Sequence, residues 1–276
     1  MKFNNNNLNY NEPIEINEGV YWVGFTDDNQ SLQCNPYLIV DGDEAVLLDG
    51  GSRPDFSRIM MKVLQVGIDP SNIKSLIYHH YDPDLCGSVS NLEEIIGNED
   101  LKIISHHENN VFIKHYSVAS PLLCITNIAY EYTFSSGRKL KFYSTPYSHS
   151  PGSFITYDEK SGILFTSDIF GSYEMDRGLF LEMREDCRNC TIFSKCHHGE
   201  TSCPFNGIFH FQKKIMTSDK ALKFALDKIK NIPATFVAPQ HGSIITSQTS
   251  IAIILEKLQN LKGIGIDGYS ESDKDE

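Results

Sequence analysis

The stretch His79-His80-Tyr81-Asp82-Pro83-Asp84-Leu85-Cys86-Gly87 follows directly on an apolar run, Ile73-Lys74-Ser75-Leu76-Ile77-Tyr78. That order reads as a buried strand ending in a loop rich in metal-ligating side chains. His80, Asp82 and Asp84 stand at alternate positions. In an extended segment alternation puts all three on one side, where they converge on one site. Pro83 holds the residue before it extended, and Gly87 permits a sharp exit. A His and two carboxylates just past a strand end are costly unless they are paired or bind a metal. The competing reading is a solvated polar loop, and the rest of the chain decides between the two.

At 276 residues the chain is long enough for one large α/β domain or two small ones. A hydrophobic content of 40%, with 16 Phe and 13 Tyr, supplies ample core. No apolar run reaches the length of a membrane span. Residues 1–11 are polar and Asn-rich, without the pattern of a signal peptide, so a cytoplasmic location is expected. The formal net charge is −12 and no basic patch stands out, which argues against nucleic acid or an anionic membrane as a partner. Seven cysteines in such a chain are expected as thiols or metal ligands rather than disulfides. Cys34, Cys86 and Cys124 are scattered and read as small buried residues. The other four cluster between positions 187 and 203.

Further strands are expected over 20–25, 35–40, 44–49, 101–105, 139–145, 153–157, 163–167 and 234–239. Helices are expected over 55–66, 89–96, 108–116, 218–229 and 251–261. Candidate ligands recur just after strands: His80, Asp82, Asp84, His149, Asp168 and His241. Donors gathered at strand ends from distant parts of a chain build a site held by rigid elements. One domain over 1–266 is expected, with a Cys-rich insertion at about 185–205 and a disordered acidic tail over 267–276.

Four ordered segments resemble the metallo-β-lactamase superfamily, and within it the di-iron branch of the flavodiiron proteins. His80-Tyr81-Asp82-Pro83-Asp84-Leu85-Cys86-Gly87 is similar to the flavodiiron H-x-E-P-D-H-S-G. Pro146-Tyr147-Ser148-His149, Leu164-Phe165-Thr166-Ser167-Asp168-Ile169-Phe170-Gly171 and Ala238-Pro239-Gln240-His241-Gly242 follow in the family order. The resemblance implies an α+β fold, an αββα sandwich of two mixed β-sheets flanked by helices. It implies one iron on His80, Asp82 and His149, a second on Asp84 and His241, and Asp168 bridging them. Asp82 stands where zinc members carry a second His, and added anionic oxygen donors favour iron over zinc.

Two positions depart from the pattern. Asp82 replaces Glu and is one methylene shorter. Leu85 replaces His and cannot ligate, which leaves positions on the second iron open to a small ligand. His79 is a possible substitute, although strand alternation points it away from His80. Tyr173, and alternatively Tyr147 or Tyr81, can hydrogen-bond a diatomic ligand, or can equally be partly buried aromatics with a surface hydroxyl. His106, His107, His115 and His210 match no motif and read as surface residues.

Cys187, Cys190, Cys196 and Cys203 give C-x2-C-x5-C-x6-C, a cluster foreign to the flavodiiron pattern. Four thiolates at this spacing hold a [4Fe–4S] cluster or a structural zinc ion. His197 or His198 can replace one thiolate in a zinc site, and a pair of redox disulfides is the third option. Flavodiiron reductases carry a flavodoxin domain after the β-lactamase-like one, for which the residues after His241 leave no room. The resemblance therefore implies a flavin-free protein that binds or senses O2, its diferrous site giving a peroxo-diferric adduct. The alternatives are an O2 or NO reductase fed by an external electron donor, and a zinc-dependent metallohydrolase. A signalling partner and a homodimer are expected.

Overall fold

Alternation along the strands sorts the apolar side chains into three layers. Tyr37 and Ile39 join one cluster of buried residues while Leu38 between them joins another. Val46 and Leu48 separate from Ala45 and Leu47 in the same way, and Ile163 and Phe165 from Leu164. A strand apolar on both faces must be covered on both, so two such sheets need a shared inner layer and two outer ones. The result is an αββα sandwich of two mixed β-sheets, as the resemblance implied. Each Leu, Ile or Phe so buried contributes about 1.5–3 kcal/mol. The computed structural model describes residues 5–25, 32, 34–173, 178–193, 196, 198 and 203–269.

The first sheet contains β1 (Ile14–Asn17), β2 (Val20–Trp22), β3 (Tyr37–Asp41), β4 (Glu44–Leu48), β5 (Ile73–Ile77), β6 (Lys102–Ser105) and β7 (Leu122–Cys124), in that spatial order. It is antiparallel through β4 and parallel from β4 to β7. Its outer face is covered by α1 (Phe56–Gln65), α2 (Pro83–Cys86), α3 (Val89–Ile96) and α4 (His107–Ile113). The second sheet contains β8 (Glu131–Thr133), β9 (Lys139–Ser144), β10 (Phe154–Asp158), β11 (Ile163–Phe165), β12 (Phe180–Leu181), β13 (Phe236–Ala238) and β14 (Ile244–Ile245). Their order is β12-β14-β13-β11-β10-β9-β8. Its outer layer is α5 (Pro204–Ile215), α6 (Asp219–Ile229) and α7 (Gln248–Gln259). Among the described residues no helix is long and apolar enough to cross a membrane.

The first residues of the tail expected over 267–276 are held to the fold. Ile266–Gly268 forms a 3-10 turn, and Asp267 Oδ2 accepts from the backbone N–H of Asp219 at the start of α6 (2.7 Å). That contact binds the segment to the fold; residues 270–276 lie outside the described residues.

At one end the two sheets are clamped by a buried ion pair. The Arg138 guanidinium donates to both oxygens of Asp158, and to the carbonyls of Glu18 (3.0 Å) and Val40 (3.2 Å) in the first sheet. The loops after β5, β9, β11 and β13 carry the candidate ligands.

Candidate metal centre

His80 sits on the extended segment that leaves β5, and Asp82 (φ −70°, ψ 155°) is still extended, as Pro83 requires. Alternation stops there. Pro83 opens helix α2, so Asp84 lies in a helical first turn and not on a continued strand. The turn sends the two carboxylates to different places. Asp82 Oδ2 accepts from His149 Nε2 at 2.7 Å, and Asp82 Oδ1 lies 3.8 Å from His80 Nδ1. Asp84 Oδ2 faces His241 Nε2 at 3.3 Å and accepts from Cys34 Sγ at 3.4 Å. Gly87 also differs from expectation. Its φ of −61° is ordinary for any residue, and its lack of a side chain serves close approach, since a Cβ would lie 2.9 Å from the Arg53 nitrogen.

Two groups of three donors result: His80, Asp82 and His149, and Cys34, Asp84 and His241. Within each, the donor atoms lie within 4.8 Å of one another. Asp168 stands between them. Its Oδ2 is 3.4 Å from His80 Nε2 and its Oδ1 is 3.4 Å from His241 Nε2. That Oδ1 is buried and accepts no hydrogen bond. Gln240 spans the same gap, accepting from His80 Nε2 and donating to Asp84 Oδ2, each at 3.1 Å. His80, Asp168 and His241 form a buried floor, and Asp82, Asp84 and His149 a half-exposed rim.

The electrostatics follow from this crowding. Burial alone would lower the His80 pKa, but the charge and hydrogen bonding of Asp168 and Asp82 raise it well above 6.5. His149 is raised in the same way, with Asp82 its main partner. Burial would raise Asp168, yet His80, His241 and His149 lower it to about 2. Asp82 and Asp84 are likewise held below the usual carboxylate range by their imidazole partners, against the opposing effect of burial. A buried carboxylate oxygen that accepts no hydrogen bond, set among imidazoles and further anions, fits divalent cations held by mixed nitrogen and oxygen donors.

Backbone strain and bracing fix the donors. His149 (φ 87°) and Ser167 (φ 53°), next to Asp168, hold left-handed conformations that non-glycine residues adopt at a cost. Asn109 Nδ2 donates to the carbonyls of His79 (3.2 Å) and Gly152 (2.9 Å), tying the His80 loop to the His149 loop. A Cβ on Gly152 would meet Asn109 Oδ1 at 2.4 Å. Asn35 donates to the carbonyls of Pro239 and Gly242 on either side of His241. Gln212 of α5 donates to the Asp168 carbonyl at 2.8 Å, and the Phe211 ring packs on His241.

The expected ligands His80, Asp82, Asp84, His149, Asp168 and His241 thus meet. His79 points away, as alternation predicts; its Nδ1 is 2.6 Å from Asp49 Oδ2 and its Nε2 2.8 Å from Thr156 Oγ1. Leu85 is wholly buried in the core beneath the first sheet. Tyr173 is half-buried with its ring against Phe211 and His210. Burial and then the charge of Asp168 raise its phenol pKa. Tyr147 is exposed, and Tyr81 stacks on Phe112. Cys34 was read as a small buried residue, and Gln240 was not singled out. A hydrogen bond made across 50 residues leaves no local signal in the sequence.

No disulfide joins any of the seven cysteines. Cys187, Cys190, Cys196 and Cys203 line one cavity of about 330 Å³, together with His198 and Asp186. His198 Nε2 lies 3.8 Å from Cys187 Sγ and 3.2 Å from Asp186 Oδ1. His197, the other expected substitute, lies outside the described residues.

The family model described as ODP family beta lactamase matches residues 32–242. A solved structure described as the peroxy diiron species of the chemotaxis sensor ODP superposes with a TM-score of 0.71 at 25% identity, covering 93% of this chain and 97% of that one. The anaerobic nitric oxide reductase flavorubredoxin of Pectobacterium carotovorum is 26% identical, over 84% of this chain and 45% of its own length. The flavo-diiron protein FprA2 of Clostridium acetobutylicum is 27% identical, over 90% of this chain and 61% of its own. The chain spans about half the length of the curated relatives it matches.

Proposed function

The chain belongs to the family described as ODP family beta lactamase, and from that premise we propose that it binds O2 at a carboxylate-bridged pair of iron ions and acts as an oxygen sensor. The observation that carries this reading is Asp168, whose two oxygens each lie 3.4 Å from an imidazole of a different donor group. Imidazole and carboxylate donors suit iron, and three carboxylates supply the anionic oxygen that a zinc site built mainly on His lacks. When bound, the iron pair supplies the electrons that O2 takes up. The chain's own residues do the rest. The buried floor of His80, Asp168 and His241 keeps water from one side, and the half-exposed rim admits a diatomic ligand from the other. Tyr173, whose phenol feels the charge of Asp168, would donate a hydrogen bond to that ligand.

In the same reading the four-cysteine cavity holds a [4Fe–4S] cluster or, with His198 as a ligand, a zinc ion. A signalling partner takes the output; an electron donor, where one binds, supplies electrons. The flavorubredoxin relatives favour a second reading, an O2 or NO reductase fed by an external donor. Anaerobic loading with Fe(II), followed by Mössbauer and visible spectra before and after O2, tests both. The sensor reading expects two irons outside the cysteine cavity that change oxidation state on O2 and revert when it is removed. Sustained O2 or NO consumption with a reductase would establish the second reading. Iron that does not respond to O2 would sink the sensor reading, and the absence of O2 and NO consumption would sink the second. Tyr173→Phe is expected to speed the reversion without changing iron content.

A further inference from the structure

We propose that Cys34 is a ligand of the second metal ion, completing with Asp84, His241 and the bridging Asp168 the position that Leu85 cannot fill. The inference rests on the metal-pair reading above and assigns one more side chain to it. Cys34 is buried, and its Sγ points at Asp84 Oδ2, 3.4 Å away. The donor atoms of Cys34, Asp84 and His241 lie within 4.8 Å of one another, as do those of His80, Asp82 and His149. A second observation points into the same space: Asp168 Oδ1 is buried, accepts no hydrogen bond and faces His241.

Two counts support a thiolate there. With Cys34, each metal has three terminal protein donors and a share of Asp168; without it, the second metal has one fewer. Asp82, Asp84, Asp168 and a Cys34 thiolate also carry four negative charges, matching two divalent cations. A buried site strongly disfavours a residual charge. On binding, the Sγ–H bond breaks, the proton leaves to solvent and Sγ bonds the metal with no change in oxidation state. Cys34 is reached from the segment before β3, outside the four motif segments, and Asn35 beside it is anchored to the His241 loop through Pro239 and Gly242.

Co(II) binding to the metal-free full-length protein tests this, because a cysteine thiolate on Co(II) gives a near-ultraviolet charge-transfer band that carboxylates and imidazoles do not. Difference spectra of wild type against Cys34→Ala and Cys34→Ser cancel the contribution of the four-cysteine cavity. The expected result is one thiolate's worth of absorption lost in both variants and in His241→Ala, but kept in His80→Ala. Affinity of the second Co(II) should fall at least about tenfold. The serine variant, nearly isosteric, covers the case in which the alanine variant fails to fold. Unchanged absorption and affinity, with two Co(II) still bound at the centre, would overturn the role of Cys34 and leave the metal pair standing. If Co(II) uptake at the centre is absent from wild type itself, the metal pair fails and the role of Cys34 with it.

Discussion

Asp168→Asn in the metal-free protein isolates what the carboxylate between His80 and His241 contributes to the fold. Asp168 is almost wholly buried, and its imidazole neighbours lower its pKa from 3.8 to about 2. At about 1.4 kcal/mol per unit, that depression is worth about 2 kcal/mol when Asp168 is ionised and His80 is protonated. The two partners describe one interaction, so their shifts are not added. The depressed carboxylate contributes stability above its unfolded pKa, near 4, and loses it as pH falls through about 2. The raised imidazole contributes fully below 6.5 and loses it as pH rises through the folded His80 value. Metal-free wild type should therefore show a stability plateau between about pH 4 and 6.5 from this pair and decline above it. The variant should lie about 2 kcal/mol lower on the plateau, with the gap closing at higher pH.

Urea unfolding after chelation, followed by the fluorescence of the single tryptophan, the buried Trp22, reads this directly. Metal loading should reverse the slope, because bound cations require neutral imidazoles and ionised carboxylates. Equal stability of the two proteins at pH 5.5, or a wild-type curve flat from pH 5 to 9, would refute the argument.

Arg138→Met leaves the buried Asp158 carboxylate without its guanidinium and should cost about 3–5 kcal/mol in urea unfolding. Arg138 precedes β9 and His149 follows it, so metal stoichiometry should be unchanged; a loss of metal would mean that the clamp also shapes the site. Lys62 is buried, donates to the Gly24 carbonyl, and lies 4.1 Å from the Trp22 ring centroid. Burial lowers its pKa to about 8, so between pH 8 and 10.5 the unfolded chain holds a proton that the folded one has lost. Wild type should gain up to about 3 kcal/mol on Lys62→Met as pH rises across that window, and a difference independent of pH would contradict it.

The sequence exposed whatever repeats or stands at the end of a repeat. The hairpin of β3 and β4, the helix α3 and the strand β5 fall within two residues of their expected bounds, because each carries a full period of apolar positions. β1, β7, β8, β12 and β14 were not anticipated; each has four residues or fewer, too short for a period to show. Helix α5 was missed because its start is fused to the cysteine run. The meeting of the six motif side chains was legible since motif and strand end coincide. The helical turn at Pro83 was not, and it decides that Asp82 and Asp84 serve different donor groups. Cys34, Gln240 and Asn109 act through tertiary contacts whose partners lie far along the chain.

Helix α5 places the cysteine cavity in physical communication with the metal centre. Cys203 is the residue before its first turn, and Phe205 lines the cavity. Two turns on, Phe211 packs on His241 and Tyr173, and Gln212 holds the Asp168 carbonyl. A helix transmits displacement along its axis because its backbone hydrogen bonds leave little play. Glycine at 171 sharpens the constraint, since a Cβ there would meet Phe211 at 2.7 Å. A displacement of the cavity wall at Cys203 would move the start of α5. The donor cluster meets that movement through Phe211 and Gln212, which touch His241 and Asp168, and through the Ile215 carbonyl, 3.4 Å from His149 Nδ1.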